Sequence, residues 1–323
     1  MKRSAVVLAV LAVLSLPGPP AAAQSWPSRP VRVVVPYPPG GANDIVARAL
    51  QPQVAAALGQ PITIENRGGG ATQIGTEAVA RAAPDGYTFL LTNIALGANP
   101  SLFAKLPYDT TKDLAPITLI STVPLVLVVH PSVAAQNVAE FIALAKAKPG
   151  TLNYASAGNG SANHLSMEMF CASAGLDVVH VPYKGFGPAL TDLLAGRVSS
   201  AFASTLAALP HVRAGKLRTL GISSARRSAV APEVPTIAES GLPGFDVMEW
   251  QMLLAPAGTP PEILERMQRE VVAALQANEV RARLTELGAT PVGGSAAEAQ
   301  AFLRAELARW ADLARRAGIK PQD

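Results

Sequence analysis

Few residue types in this chain could do covalent or metal chemistry, and their spacing argues against it. The four histidines, His130, His164, His180 and His211, are scattered and form no H-E-x-x-H. His164 and Glu168 share a helix face at i, i+4, a pair that suits capping or packing better than a metal with so few other ligands nearby. Ser156 lies in YASAG rather than in the G-x-S-x-G of a nucleophile elbow. Gly158-x-Gly160 lacks the third glycine of a dinucleotide fingerprint, because position 163 is Asn, and Gly215-Lys216 is followed by Leu217, so there is no P-loop. No cofactor, metal site or enzymatic activity is expected.

A different chemistry recurs four times: a glycine-rich junction between a strand-like run and a helical one. Loop one is Tyr37–Asp44 (YPPGGAND), with Gly40 and Gly41. Loop two is Asn66–Gly75 (NRGGGATQIG), with Ala71 and Thr72. Loop three is Ala155–His164 (ASAGNGSANH), holding Ser156, Gly158, Asn159, Gly160, Ser161 and His164. Loop four is Pro182–Pro188 (PYKGFGP), with Lys184 and Gly185. Glycine lets backbone approach a ligand and tolerates positive φ. The free N–H groups of a helix's first turn, with the dipole behind them, attract an anion. Any one such loop is explained by a tight turn and a cap: Asn43 and Ser161 are ordinary N-cap types, and Asp44 favours a helix start. Four of them, two from each half of the chain, point to a shared anion-binding cleft. Thr92 and Asn93, at the end of a fifth strand-like run, and Ser204 and Thr205, at the end of a sixth, complete the candidate ligand-binding set.

These loops need rigid elements behind them. Strand-like runs cover Val31–Tyr37, Pro61–Asn66, Tyr87–Asn93, Leu125–His130, Leu152–Ser156, Val178–Tyr183, Val198–Thr205 and Leu217–Ser224. Between them apolar residues fall at helical spacing, as in Val138, Phe141, Ile142 and Ala145, and again in Leu303, Leu307 and Trp310. Alternating strand and helix predicts an α/β fold with parallel-rich sheets flanked by helices, and ligands in such sheets sit at the carboxyl ends of strands. Two passages run from strand to strand with no helix between them, near Ala115–Pro124 and Gly244–Pro256. They predict two lobes and two cores: residues 24–124 plus 247–323 as a discontinuous first lobe, and 125–246 as the second.

The N-terminus reads as an export signal. Lys2 and Arg3 precede an apolar run, Ala5 to Leu16, that is too short to span a bilayer, and Ala21-Ala22-Ala23 before Gln24 offers a cleavage site. Residues 1–23 are therefore expected to be removed, leaving a periplasmic chain. The net charge of +4 includes Lys2 and Arg3, and the +2 that remains is too small to imply a nucleic-acid partner. With 49% hydrophobic and 15% charged residues, stability must come from burial, because Cys171 has no second cysteine to pair with. A monomer is expected.

In order and spacing the motifs resemble one family, the Bug-type receptors of tripartite tricarboxylate transport. The resemblance runs through YPPGGAND, ENRGGGATQIGTEAVARAAPDGYTFLLTN, KLPYDTTKDLAPITLI, NYASAGNGSANHLSMEMF, HVPYKGFGPALTDLLAGRV, AGKLRTLGISSARRS, PEVPTIAESGLPGF and APAGTPPEI. It implies a two-lobed type II periplasmic binding fold that clamps a carboxylate through backbone amides, hydroxyls and waters, without an arginine clamp. It also implies delivery of that ligand to membrane permease subunits. A sensory receptor on the same fold is the alternative. Two stretches depart from the family's pattern. Ser199 and Ala203 stand where carboxylates are common, and Gln251 and Met252 follow Trp250 where an aromatic and a glycine are usual. A pocket short of carboxylates favours a plain mono- or dicarboxylate over an amino acid. Met252 could shape an apolar pocket or simply be a buried methionine between the lobes.

Overall fold

The computed structural model describes residues 26–228, 230–286, 288–317 and 321. The proposed leader and its cleavage site lie outside the described residues. Among the described residues ten strands and ten α-helices follow one another largely in alternation, as expected of an α/β chain. The first sheet opens with three parallel strands, β1 (Val31–Val35), β2 (Ile62–Asn66) and β3 (Thr88–Asn93), in the order β2-β1-β3. The second has the same pattern in β5 (Asn153–Ser156), β6 (Val179–Pro182) and β7 (Ser200–Ser204), in the order β6-β5-β7. In each, helices join the parallel strands, as right-handed crossovers require.

The two sheets share one strand. β4 (Leu114–Val129) is a single 16-residue strand that joins the two runs read separately in the sequence. Its first part, Leu114–Pro124, pairs antiparallel with β9 (Met248–Pro256), and it also pairs with the short β10 (Thr290–Gly293). From Leu125 onward it pairs instead with β7 and with β8 (Arg218–Ile222). Both sheets are thus mixed, with antiparallel pairing confined to strands not joined by a crossover helix. Where β4 changes partners, Ser223 stitches the passage. Leu125 N–H donates to Ser223 Oγ, Ser223 N–H donates to Leu125 O and Val247 N–H donates to Ser223 O, each at 2.8 Å.

Alternation along the shared strands decides what each face buries. Trp250, Met252 and Leu254 of β9 look one way, Leu253 and Ala255 the other. On the first face a single apolar cluster crosses from one sheet to the other. It includes Leu119, Leu125, Leu127 and Val129 of β4, Phe141 of α4 (Val138–Ala147), and Phe170 of α5 (Ala162–Ala174). Leu303 and Trp310 of α10 (Ala296–Ala317) complete it. The opposite faces carry separate clusters. One is packed under α1 (Ala42–Leu58) and α8 (Pro261–Gln276), the other under α6 (Phe186–Leu194) and α7 (Thr205–Arg213). Instead of two cores there are three, because α10 lies against both α3 (Ala95–Leu102) and α5. Trp250 fixes that helix by donating from Nε1 to Glu306 Oε2 at 2.9 Å. Met252 is wholly buried in the shared cluster. Cys171 is buried in the same cluster. Among the described residues no helix is long and apolar enough to cross a membrane.

Phe170 sits at the centre of the aromatic group in this cluster, with ring centroids 6.0, 6.1 and 5.9 Å from Phe141, Phe202 and Phe245. Phe170→Ala is expected to cost about 3–5 kcal/mol through lost transfer energy and the cavity left behind. Urea unfolding with a matched m-value would measure it, and a loss below about 1 kcal/mol would show that the shared cluster is not close-packed there.

Candidate functional site

All four glycine-rich loops fall at carboxyl ends of parallel strands. Loops one and two follow β1 and β2; loops three and four follow β5 and β6. Each loop is shaped by a small set of polar contacts.

In loop one Gly40 takes φ 83° and leaves its side exposed, and Gly41, not Asn43, is the N-cap of α1. Asp44 is turned inward. It accepts Gly40 N–H at 2.9 Å, Arg48 Nε at 3.0 Å and Asn66 Nδ2 at 3.0 Å. Burial pushes its carboxyl up, but these hydrogen bonds outweigh that and hold it below its ordinary value. Its oxygens are engaged in tying loop one to the end of β2. Tyr37 closes the loop from the other side: its hydroxyl donates to Asn93 Oδ1, which also accepts Ala95 N–H at 3.1 Å. Thr92, beside Asn93, is wholly buried, and its Oγ1 has no hydrogen-bond partner among the described residues.

Loop two is the most strained segment among the described residues. Gly69, Gly70, Ala71 and Thr72 all have positive φ, at 123°, 54°, 50° and 77°. Alanine and the β-branched threonine are poorly suited to that region. Asn99 of α3 holds them there, donating from Nδ2 to Ala71 O at 2.8 Å and to Thr72 Oγ1 at 3.3 Å. At the end of the run left-handed Thr72 is followed by right-handed Gln73 (φ −60°), the change of hand that turns successive backbone amides towards one point in an anion nest.

Loop three is also built from inside. Ser161 caps α5 by accepting His164 N–H, and donates to Gly158 O at 2.7 Å. Gly158 (φ 119°) donates its N–H to Ser156 Oγ at 3.1 Å, and Gly160 (φ 75°) donates to His164 Nδ1 at 3.3 Å. Ser156 Oγ lies 2.7 Å from His180 Nε2. Asn159, at the exposed tip, has a backbone N–H with no acceptor among the described residues. Below the loop Tyr154, His180 and His164 stack, with centroids 4.7 Å apart for the first pair and 4.3 Å for the second. Burial pushes both imidazoles down to about 4. Glu168 accepts the Tyr154 hydroxyl while His164 Nδ1 takes the Gly160 amide, so the i, i+4 pair does not converge on one point.

Loop four backs loop three. Gly185 (φ 100°) donates to Ala157 O at 3.1 Å, and Tyr183 O lies so near Gly158 that a Cβ there would sit 3.1 Å from it. Lys184 is exposed. Ser204 caps α7 by accepting Ala207 N–H, and Thr205 is buried against Gly288 near the start of β10.

Loops two and three meet. A Cβ placed on Gly160 would come 3.0 Å from the Cβ of Ala71, so the strained loop of one sheet touches the glycine loop of the other. Sequence reasoning overlooked Glu249, an acid in an otherwise apolar passage. It is buried opposite Val123 of β4 and accepts Asn93 Nδ2 at 3.2 Å. Burial raises its carboxyl above the ordinary value, against the hydrogen bond from Asn93. Gln251 is buried as well and accepts Ser121 Oγ at 2.6 Å.

Two α/β halves joined through shared strands, with facing amide-rich loops, define a solute-binding protein. Comparison with known proteins gives the family: residues 46–319 match the tripartite tricarboxylate transporter family receptor, and the chain belongs to that family. Its members are receptors, and the chain is a binding protein rather than an enzyme. Protein BugT of Bordetella pertussis is 38% identical over 322 residues, covering 99% of each chain. Among solved structures, R. palustris Rpa4515 with adipate superposes with a TM-score of 0.83 at 37% identity, covering 92% of this chain and all of that one. MatC from Rhodopseudomonas palustris with bound malate gives 0.81 at 36%, covering 90% and 100%.

The loop contact yields opposite expectations for two substitutions. Ala71→Gly relieves a left-handed alanine, worth about 1–2 kcal/mol, and gives back roughly 0.5–1 kcal/mol in unfolded-state entropy. A gain of a few tenths to about 1 kcal/mol is expected. Gly160→Ala adds strain and a methyl against Ala71, and is expected to lose about 1–2 kcal/mol. Differential scanning calorimetry of both variants would check the signs, and a destabilised Ala71→Gly would mean that loop two is not strained.

Proposed function

We propose that the protein captures a small mono- or dicarboxylate in the cleft between loops one and two on one side and loops three and four on the other, and delivers it to permease subunits of a tripartite tricarboxylate-type transporter. One observation carries the reading: strained, amide-rich loop two and glycine-rich loop three, from different sheets, come into contact at Ala71 and Gly160. A carboxylate held there would touch both halves, with helix starts at α2 (Gln73–Ala80) and α5 behind it. The adipate of Rpa4515 and the malate of MatC support the ligand class.

Residues 24–124 with 247–323 form one lobe of this clamp and 125–246 the other, a division favoured by the change of partners along β4. Tyr37, Gly40, Gly41, Ala71, Thr72, Asn93, Ser156, Gly158, Asn159, Gly160, Ser161, His164, Lys184 and Gly185 line or shape the cleft in this reading. Asp44, Thr92, Ser204 and Thr205 act through the loops and helix starts they hold. The mature chain works in the periplasm as a monomer after removal of residues 1–23.

A ligand that contacts both lobes binds the closed state better than the open one and must shift the population towards closure. Adipate or malate at 100 times its dissociation constant is expected to add about 2.7 kcal/mol of stability. Small-angle scattering is expected to show contraction on saturation. Calorimetric titration with no binding of either acid would remove the ligand class. Binding with an unchanged scattering profile would remove the clamp.

A further inference from the structure

Loop three, the seat of the carboxylate in the proposed function, carries a second property that depends on that reading. Its two glycine amides already have side-chain acceptors, Ser156 Oγ for Gly158 and His164 Nδ1 for Gly160. A ring nitrogen that accepts an N–H is unprotonated, so the neutral His164 carries its hydrogen on Nε2. A carboxylate oxygen is a stronger acceptor of the same amide than an imidazole nitrogen. An anion arriving at Gly160 N–H therefore displaces Nδ1 and leaves it beside a new negative charge. We propose that carboxylate capture is coupled to uptake of one proton at His164 Nδ1, so that an imidazolium supplies the positive partner that loops three and four otherwise lack on a buried side chain. The proton comes from the solvent and lands on Nδ1; only hydrogen bonds are exchanged otherwise.

The surroundings fix the direction and the stoichiometry. Burial holds both imidazoles down, near 4, so the ligand-free protein keeps them neutral at pH 7. A carboxylate within hydrogen-bond reach raises the imidazole it touches. On β6, His180 stacks 4.3 Å away, and a second positive charge at that distance is disfavoured, which limits uptake to one proton. On β5, Tyr154 and Ser156 face the pair as neutral hydroxyls, Tyr154 being bonded to Glu168. On α5, Glu168 is the nearest acid, with buried Cys171 beyond it. From α10, Arg309 approaches α5 further along and is occupied by Met169 Sδ and Glu306. Lys184 of loop four is exposed. Across the cleft, loop two meets loop three at Ala71, which does not titrate.

Isothermal titration with adipate in buffers of different ionisation enthalpy, from pH 6.5 to 8, reads the proton count directly. Uptake approaching one proton per adipate is expected at the acid end, with affinity weakening by up to about tenfold per pH unit as pH rises. His164→Asn keeps an acceptor oxygen near the position of Nδ1 but cannot titrate; it is expected to lose the uptake and flatten the profile. His180→Gln is expected to keep the uptake. Imidazole nitrogen NMR of the unmodified protein gives an independent reading: His164 should move to the imidazolium form on saturation at pH 6.5. Adipate binding without proton uptake, unchanged uptake in His164→Asn, or an imidazole that stays neutral in the complex would each overturn the proposal while leaving carboxylate binding intact. Failure of both adipate and malate to bind the folded protein at any of these pH values would overturn both readings together.

Discussion

The backbone hydrogen bonds of β4 are the constraint on which everything else in this protein depends. A strand buried on both sides must satisfy every N–H and C=O along its length. This one does so with β9 and β10 over its first part and with β7 and β8 over its second. Pro124, which has no N–H to offer, stands where the partners change, and Ser223 supplies the bonds that join the two crossings there. Because the ladder is continuous, the two parallel halves stay joined through one strand, and the ends of their own strands carry the four loops, of which loops two and three meet.

Within the loops, the polar groups are organised from the inside outwards. Asp44, Asn66 and Arg48 hold loop one; Asn99 holds the left-handed residues of loop two; Ser156, Ser161 and His164 hold loop three. These contacts order the loops before any ligand arrives, and such ordering lowers the entropic cost of binding. The strain at Ala71 and Thr72 has the same meaning: an unfavourable backbone persists because neighbours over-determine it.

Much of this was legible in the residues. Runs of valine and leucine between glycine-rich junctions mark the parallel strands, and their ends fall within a few residues of the observed ones. What escaped has physical reasons. β10 is the four-residue TPVG, whose proline and glycine argue against a strand, and only pairing with β4 makes it one. The two runs at Ala115–Pro124 and Leu125–His130 look separate because proline interrupts them, yet a proline whose missing N–H coincides with a change of partner does not break the ladder. Nothing in the types of Ala71 and Thr72 announces positive φ; Asn99, 27 residues from Thr72, imposes it. Asn43 is a good cap type displaced from the cap by Gly41, and Asp44 suits a ligand contact but is drawn inward by Arg48 one turn along. The stacking of His164 on His180 joins a helix to a neighbouring strand, which no local spacing reveals.

The shared strand also bears on how such a molecule can change over generations. Side chains along β4 alternate between one core common to both sheets and two cores private to each, so a one-residue insertion or deletion within it would exchange the faces of both sheets at once. The irregularities at Pro116/Thr118, Leu119/Ser121 and Leu127/Val128 show where the ladder already absorbs mismatch. Lengthening a loop at a strand end perturbs only its own turn. Drift in ligand preference therefore has free play in the four loops, while the strand that unites the halves admits substitution but hardly any change of length.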